Sequence, residues 1–148
     1  MGIMTGKVLL IGGIGAGKTS LKQLFSQEVL TYRKTQMLEF SSLFIDCPGE
    51  YLAIPRYYHV LIDASHQVKE IWALQDSTQA CSIYPPNFAK IFGKPVVGII
   101  TKIDLPQANI EKSKVFLNYA GIIDPVYQIS VLNGEGSSAL KFRLQALV

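Results

Sequence analysis

At 148 residues, 49% hydrophobic and 17% charged, the chain has the size of one domain and enough apolar side chains to fill a core without disulfides. Its net charge of +3 is spread over scattered Lys and Arg residues, with no basic stripe carrying interleaved aromatics, so the pattern gives no support to nucleic-acid binding. Apolar runs such as Val8 to Ile11 and Val96 to Ile100 are too short for a signal peptide or a membrane span, and the two cysteines read as thiols of a reducing cytosol.

In chain order, Val8-Leu9-Leu10-Ile11 is a continuous apolar run, the pattern of a strand buried on both faces. A glycine-rich segment follows, and then Leu21, Leu24, Phe25 and Val29 recur at helical spacing. Met37 to Phe40 and Leu43-Phe44-Ile45 read as two short strands joined at Ser41-Ser42, which would make one of them an antiparallel edge. A helix is expected from about Pro55 to Ala64, and Ile71 to Leu74 is the next buried strand. A helical segment over Asn87 to Phe92 precedes the strand Val96 to Ile100. A helix from Asn109 to Ala120 stops at Gly121, Val126 to Ile129 is the last strand, and Ser138 to Leu147 closes the chain as a helix. Strands alternating with helices predict an α/β domain spanning residues 1–148, with a mostly parallel sheet of about six strands covered by helices on both faces.

The glycine-rich segment carries the chemistry. Gly12-Gly13-Ile14-Gly15-Ala16-Gly17-Lys18-Thr19 fits G-x-x-x-x-G-K-[ST] and lies between an apolar strand and an amphipathic helix, as a phosphate loop requires. Glycines let consecutive N–H groups turn inward around phosphate, and the N-terminus of the following helix, with Ser20 in its first turn, adds its positive end. Lys18 would place a point charge on the β- and γ-phosphates, and the Thr19 hydroxyl would ligate Mg²⁺. A turn that merely joins strand to helix has no comparable use for Lys-Thr at its end.

Asp46-Cys47-Pro48-Gly49 follows the strand Leu43 to Ile45. Alone, such a tetrapeptide is often just a turn. After a phosphate loop, Asp46 is expected to hold Mg²⁺ through its water shell, and the Gly49 N–H to reach the γ-phosphate. The third motif, Thr101-Lys102-Ile103-Asp104, stands at the end of another apolar strand and is similar to N-K-x-D with Thr for Asn. The Asp104 carboxylate would accept from guanine N1–H and its 2-amino group. Adenine offers neither donor, and two such bonds are worth about a hundredfold preference or more. Lys102 would lay its stem on the base. Ser130 and Val131 occupy a last loop whose backbone would meet guanine, although only the Ser remains of the usual Ser-Ala-Lys pattern. Read this way the ligand is GTP or GDP with Mg²⁺, and ATP is the alternative.

These motifs, in this order and spacing, resemble the Ras-like or translation-factor class of P-loop GTPases over essentially the whole chain. The runs Lys34-Thr35-Gln36, Asp46 to Tyr51, Gln75-Asp76, Pro85 to Ala89, Lys94-Pro95-Val96 and Thr101 to Leu105 are more closely similar to the EutP/PduV family of ethanolamine and propanediol utilisation. That resemblance implies a bacterial cytosolic protein near a microcompartment, with a shell or cargo protein as partner. It also assigns Thr35 as the switch Thr that closes on Mg²⁺, with Thr31 as the alternative. Departures from the Ras pattern bear on mechanism: Glu50 stands where Ras has a water-orienting Gln, and Ile14 where Ras leaves room for an arginine finger. Lys18, Gly49 and Glu50 are therefore the catalytic candidates of a slow GTPase. An ATP-dependent phosphotransferase acting on acetate, or a nucleotide-binding interaction module without chemistry, would use the same loop.

The other conspicuous residues have blander readings. His59 and His66 lack a partner at metal-ligand spacing, and Trp72 reads as packing. Tyr51, Tyr57 and Tyr58 fit either a nucleotide-sensitive partner surface or packing. Arg33 and Arg56 flank the two switches, where solvated arginines are the commoner case.

Overall fold

The computed structural model describes residues 8–13, 15–32, 44–47, 49–123 and 125–147. In chain order it runs β1 (Val8–Ile11), α1 (Lys18–Tyr32), β2 (Phe44–Asp46), α2 (Glu50–Ala53), α3 (Tyr58–Ser65), β3 (Glu70–Asp76), β4 (Val96–Thr101), α4 (Ile110–Tyr119), β5 (Val126–Gln128) and α5 (Ser137–Leu147). The strands form one five-stranded sheet in the order β2-β1-β3-β4-β5. Every pair is parallel, with Leu10 opposite Asp46 and Trp72, and Ala73 opposite Gly98.

The alternation of side chains along each strand sorts the apolar run of β1 onto two faces. Leu9 and Ile11 join Ile71, Ala73 and Ile100 under α3 and α4, which contribute Leu61 and Leu117. Val8 and Leu10 join Trp72, Leu74, Val97 and Ile99 under α1 and α5, which contribute Leu21, Phe25, Leu140 and Leu144. The result is a three-layer sandwich, and it explains why the strands read as unbroken apolar runs. Gly98 in the middle of β4 lets helix α4 sit close. A Cβ there would stand 2.9 Å from Leu117 Cδ1 and 3.1 Å from Ile122 Cγ2.

The expectation of about six strands with an antiparallel edge is met in part. Among the described residues the five strands are all parallel, and the expected strand Met37 to Phe40 lies outside them. Two predicted helices are shorter or broken. The stretch from Pro55 begins as a 3₁₀ turn (Pro55–Tyr57), with proline at its first position where no N–H is needed, before α3 starts. The predicted helix over Asn87 to Phe92 is a 3₁₀ turn from Phe88 to Ile91, entered from Asn87 in the left-handed region (φ 58°). Its Phe88 is buried between Tyr58, Tyr84 and Phe92.

Candidate functional site

The segments singled out from the sequence meet at the carboxyl ends of β1, β2, β4 and β5, the crevice where parallel α/β sheets bind ligands. The phosphate loop leaves β1 at Ile11 and enters α1 at Lys18. Gly12 is hemmed in, since a Cβ on it would lie 3.2 Å from both Ala16 Cβ and Leu74 Cβ. Gly15 and Gly17 take positive φ values of 80° and 106°, and a Cβ on Gly15 would meet only open space. The loop is thus coiled tightly at its root and open at its crown, as a cradle for an anion needs to be. Thr19 and Ser20 are exposed in the first turn of α1. Lys18 Nζ donates to the Cys47 carbonyl at 2.6 Å, so the loop's ammonium lies against the end of β2, where Asp46 is the final strand residue. Gly49, buried, sits at the N-cap of α2. Ile14, Thr35 and the side chains of Asp46 and Glu50 lie outside the described residues, as do Thr31's side chain and Arg33.

The loop is fastened to the end of β4 at two points. Thr101, almost fully buried, donates its hydroxyl to the Ala16 carbonyl at 2.8 Å. Lys102 Nζ donates to the Gly15 carbonyl at 2.7 Å and to Asp76 Oδ2 at 2.9 Å. The hydroxyl of Thr101 therefore ties the end of β4 to the phosphate loop. Asp104 Oδ1 accepts from the Ser130 hydroxyl at 2.7 Å, which ties the end of β4 to the loop after β5. Ser130 is itself fully buried: its N–H donates to the Glu135 carbonyl, its carbonyl accepts from the Gly134 N–H, and its Oγ accepts from the Asn133 N–H. Between these segments lies a pocket of about 280 Å³ lined by Gly17, Ser20, Thr101, Lys102, Asp104, Leu105, Val131 and Leu132.

Seven of the residues proposed to bind the nucleotide (Gly17, Ser20, Thr101, Lys102, Asp104, Ser130 and Val131) line this pocket or fix its walls. Gly12, Gly13, Gly15 and Ala16 form the adjoining loop. Leu105 and Leu132 line it as well, Leu132 being 86% exposed, and the motifs alone did not point to either. Asp76, Ser77 and Thr78 stand behind Lys102. Ser77 Oγ donates to the Lys102 carbonyl, and Asp76 Oδ1 accepts from both the N–H (2.8 Å) and the hydroxyl (2.6 Å) of Thr78. The signal for Asp76 was its position at the end of a buried strand. Burial alone would push its carboxyl up, but hydrogen bonds from Thr78 and Lys102 and the lysine's charge outweigh this and hold it below the usual carboxylate range.

The remaining candidates fall into place as structure. Trp72 is fully buried and donates Nε1–H to Glu70. His59, exposed, contacts the Arg56 carbonyl, and Arg56 lies over the Tyr57 ring. Tyr58 donates to the Leu52 carbonyl and packs on Phe88, while the rings of Tyr51 and Tyr57 meet at a tilt of 32° with centroids 4.8 Å apart.

Fold and loop together define the class: a P-loop nucleotide-binding fold of the GTPase type. The structure of translation elongation factor SelB from Methanococcus maripaludis, in complex with the GTP analogue GppNHp, superposes on 99% of this chain and 34% of its own, with a TM-score of 0.61 at 16% identity. In sequence, translation initiation factor IF-2 of Chlorobium phaeovibrioides is 31% identical over 133 residues, 78% of this chain and 14% of the factor. Within that class the chain belongs to the PduV–EutP family of ethanolamine and propanediol utilisation, whose family model matches residues 5–146. The "Propanediol utilization protein PduV" of Citrobacter freundii is 36% identical over 95% of this chain and 93% of its own length. "Probable acetate kinase EutP" of Escherichia coli K12 is 30% identical over 84% of this chain and 79% of its own. The resemblance read from the motifs is thereby borne out. Among the described residues no helix is long and apolar enough to cross a membrane.

Proposed function

We propose that this chain binds GTP and GDP and hydrolyses GTP slowly, in the service of ethanolamine or propanediol utilisation and in association with a microcompartment shell or cargo protein. The observation that carries the guanine assignment is the carboxylate of Asp104, held by the buried Ser130 hydroxyl at the pocket that adjoins the phosphate loop. A carboxylate fixed there accepts from a purine that presents two adjacent N–H donors, and faces a lone pair when the purine is adenine.

The residues present fit a magnesium-bound triphosphate. The loop is open where Gly15 turns, Gly17 packs against Thr101, and Thr19 and Ser20 crown the N-terminus of a 15-residue helix. In this reading Gly12 to Gly17 wrap the phosphates, Lys18 neutralises them, and Thr19, Thr35 and Asp46 hold the metal. Mg²⁺, when bound, supplies charge neutralisation across the β- and γ-phosphates. Gly49 donates its N–H toward the transferred group, and Glu50, repelled by phosphate when ionised, points away from it unless it serves as a base. By residue type alone, a branched Ile14 would obstruct an arginine finger where Ras has a glycine. Turnover by the isolated chain is therefore expected below about 1 s⁻¹, in the range of unaided small GTPases.

A second reading is favoured by the name of a relative, "Probable acetate kinase EutP". Here acetate's carboxylate oxygen attacks the γ-phosphorus, and the bond to the β–γ bridging oxygen breaks, giving acetyl phosphate and the nucleoside diphosphate. One assay separates these from a third, a binding module without chemistry. Purified protein is given GTP or ATP with Mg²⁺, with and without acetate, and free phosphate and acyl phosphate are both measured. Free phosphate from GTP without acetate supports the first reading. Acyl phosphate supports the second, and neither product supports the third. In the first reading Asp104→Ala weakens GTP binding about a hundredfold and leaves ATP binding where it was. Unchanged GTP affinity in that variant sinks the guanine assignment.

A further inference from the structure

The sequence motifs assign no role to Asp76, yet it is a buried carboxylate bonded to Lys102, which lines the pocket. It closes β3, is 5% exposed, and takes hydrogen bonds from the Thr78 N–H and hydroxyl on one oxygen and from Lys102 Nζ on the other. Lys102 in turn is anomalous. Its backbone has φ 62°, a region that side chains with a Cβ seldom occupy without support. Its side chain is more than a third exposed, at 38%. A lysine so placed has every entropic reason to wander in solvent. Instead its ammonium is held at 2.9 Å from Asp76 Oδ2 and 2.7 Å from the Gly15 carbonyl, so one group bridges the end of β3 and the crown of the phosphate loop.

We propose that Asp76 is a positioning residue for nucleotide recognition: it pins the Lys102 ammonium against the phosphate-loop carbonyl, so that the lysine stem forms a fixed wall of the base pocket. This rests on the reading of that pocket as a purine site. Two consequences follow from the geometry. The stem is ordered before ligand arrives, so binding does not have to freeze it. The base pocket and the phosphate loop also share one ammonium, so displacing it disturbs both. Thr78 stands behind Asp76, since its two donors fix the carboxylate's orientation.

The test is a double-mutant cycle read by calorimetric titration with GDP, and with ADP as the second probe. Asp76→Asn keeps the shape but removes the charge, and Lys102→Ala removes the wall. Each alone is expected to weaken GDP binding about tenfold, as loss of one charge-assisted contact does. The double variant is expected to bind no more weakly than Lys102→Ala, because Asp76 acts only through that lysine. A carboxylate that merely stabilised the end of β3 would give losses that multiply to about a hundredfold, and that result overturns the proposal. So does Asp76→Asn with wild-type affinity. If Asp76→Asn fails to fold, Thr78→Val decides in its place: about a threefold loss in the wild-type background and none beside Lys102→Ala, an equal loss in both being fatal. Wild-type protein that takes up neither GDP nor ADP defeats the purine-site reading itself, and the positioning role with it. Tight GDP binding with multiplying losses defeats the positioning role alone.

Discussion

Arg143 fastens the last helix to the middle of the sheet, and its removal should be among the costliest single changes in the chain. Its Nε donates to Glu70 Oε2 at 2.7 Å and its Nη2 to Oε1 at 2.8 Å, a two-pronged pair in which the Glu70 side chain is 4% exposed. The Glu70 hydrogen bonds push the guanidinium further toward its protonated form, against the opposing effect of burial. Arg143→Met keeps much of the apolar stem and strands a buried carboxylate. Breaking a buried pair from one side costs about 3–5 kcal/mol. Here the lower end applies, because Arg143 is 27% exposed and the indole N–H of Trp72 still donates to Glu70 at 2.7 Å. About 3 kcal/mol corresponds to a fall in Tm of roughly 6–12 °C for a domain of this size. The assay is urea unfolding followed by fluorescence of Trp72, the chain's single tryptophan, whose ring N–H touches the perturbed carboxylate. Adding Glu70→Gln should restore part of the loss, since the stranded charge is then gone. Nucleotide affinity should stay at the wild-type value, because Glu70 opens β3 and the site lies at its far end, about 20 Å away at ~3.3 Å per residue. A loss below about 1 kcal/mol, or no recovery in the double variant, would refute the assignment of this pair as a desolvated fastening.

Thr101→Val keeps the shape of the side chain and removes the hydroxyl that bonds Ala16, so nucleotide affinity should fall about fivefold with the fold intact, as read by calorimetry. In Gly98→Ala the new methyl meets the side chains of Leu117 on helix α4 and of Ile122 just after it, and overpacking should cost about 1–3 kcal/mol in urea unfolding, with the site unchanged. Asp76 gives a pH signature. Its folded carboxyl titrates below the unfolded value of about 3.9, so its contribution is complete above that pH and fades as the pH falls through the folded value. Asp76→Asn should therefore lose stability at pH 6 yet converge with wild type toward pH 2, as measured by urea midpoints across that range.

Much of the fold was legible because the strands are buried on both faces. Such strands appear as unbroken apolar runs, and β1, β3 and β4 were found within one or two residues of their ends. The phosphate loop was legible for a different reason: its function demands residue types, glycine above all, that packing alone does not select. The 3₁₀ turns at Pro55 and Phe88 were harder. They look helical by composition, and in the folded chain Phe88 packs against Tyr84 and Phe92, and Tyr57 against Tyr51, contacts that no local pattern announces.

The sequence by itself determined the family and singled out the phosphate-loop segment and Asp104 as candidates, since each depends on residue identity at fixed spacing. Only the tertiary structure decided how these ends are joined. Thr101 reaches Ala16 across 85 positions of chain, Lys102 reaches Gly15 across 87, and Ser130 reaches Asp104 across 26. No local pattern encodes such contacts, because they exist only once the parallel sheet has set the carboxyl ends of β1, β3, β4 and β5 side by side. Asp76 is the plainest case. In the sequence it is an acidic residue after an apolar run; in the folded chain it is the partner that holds Lys102 in place.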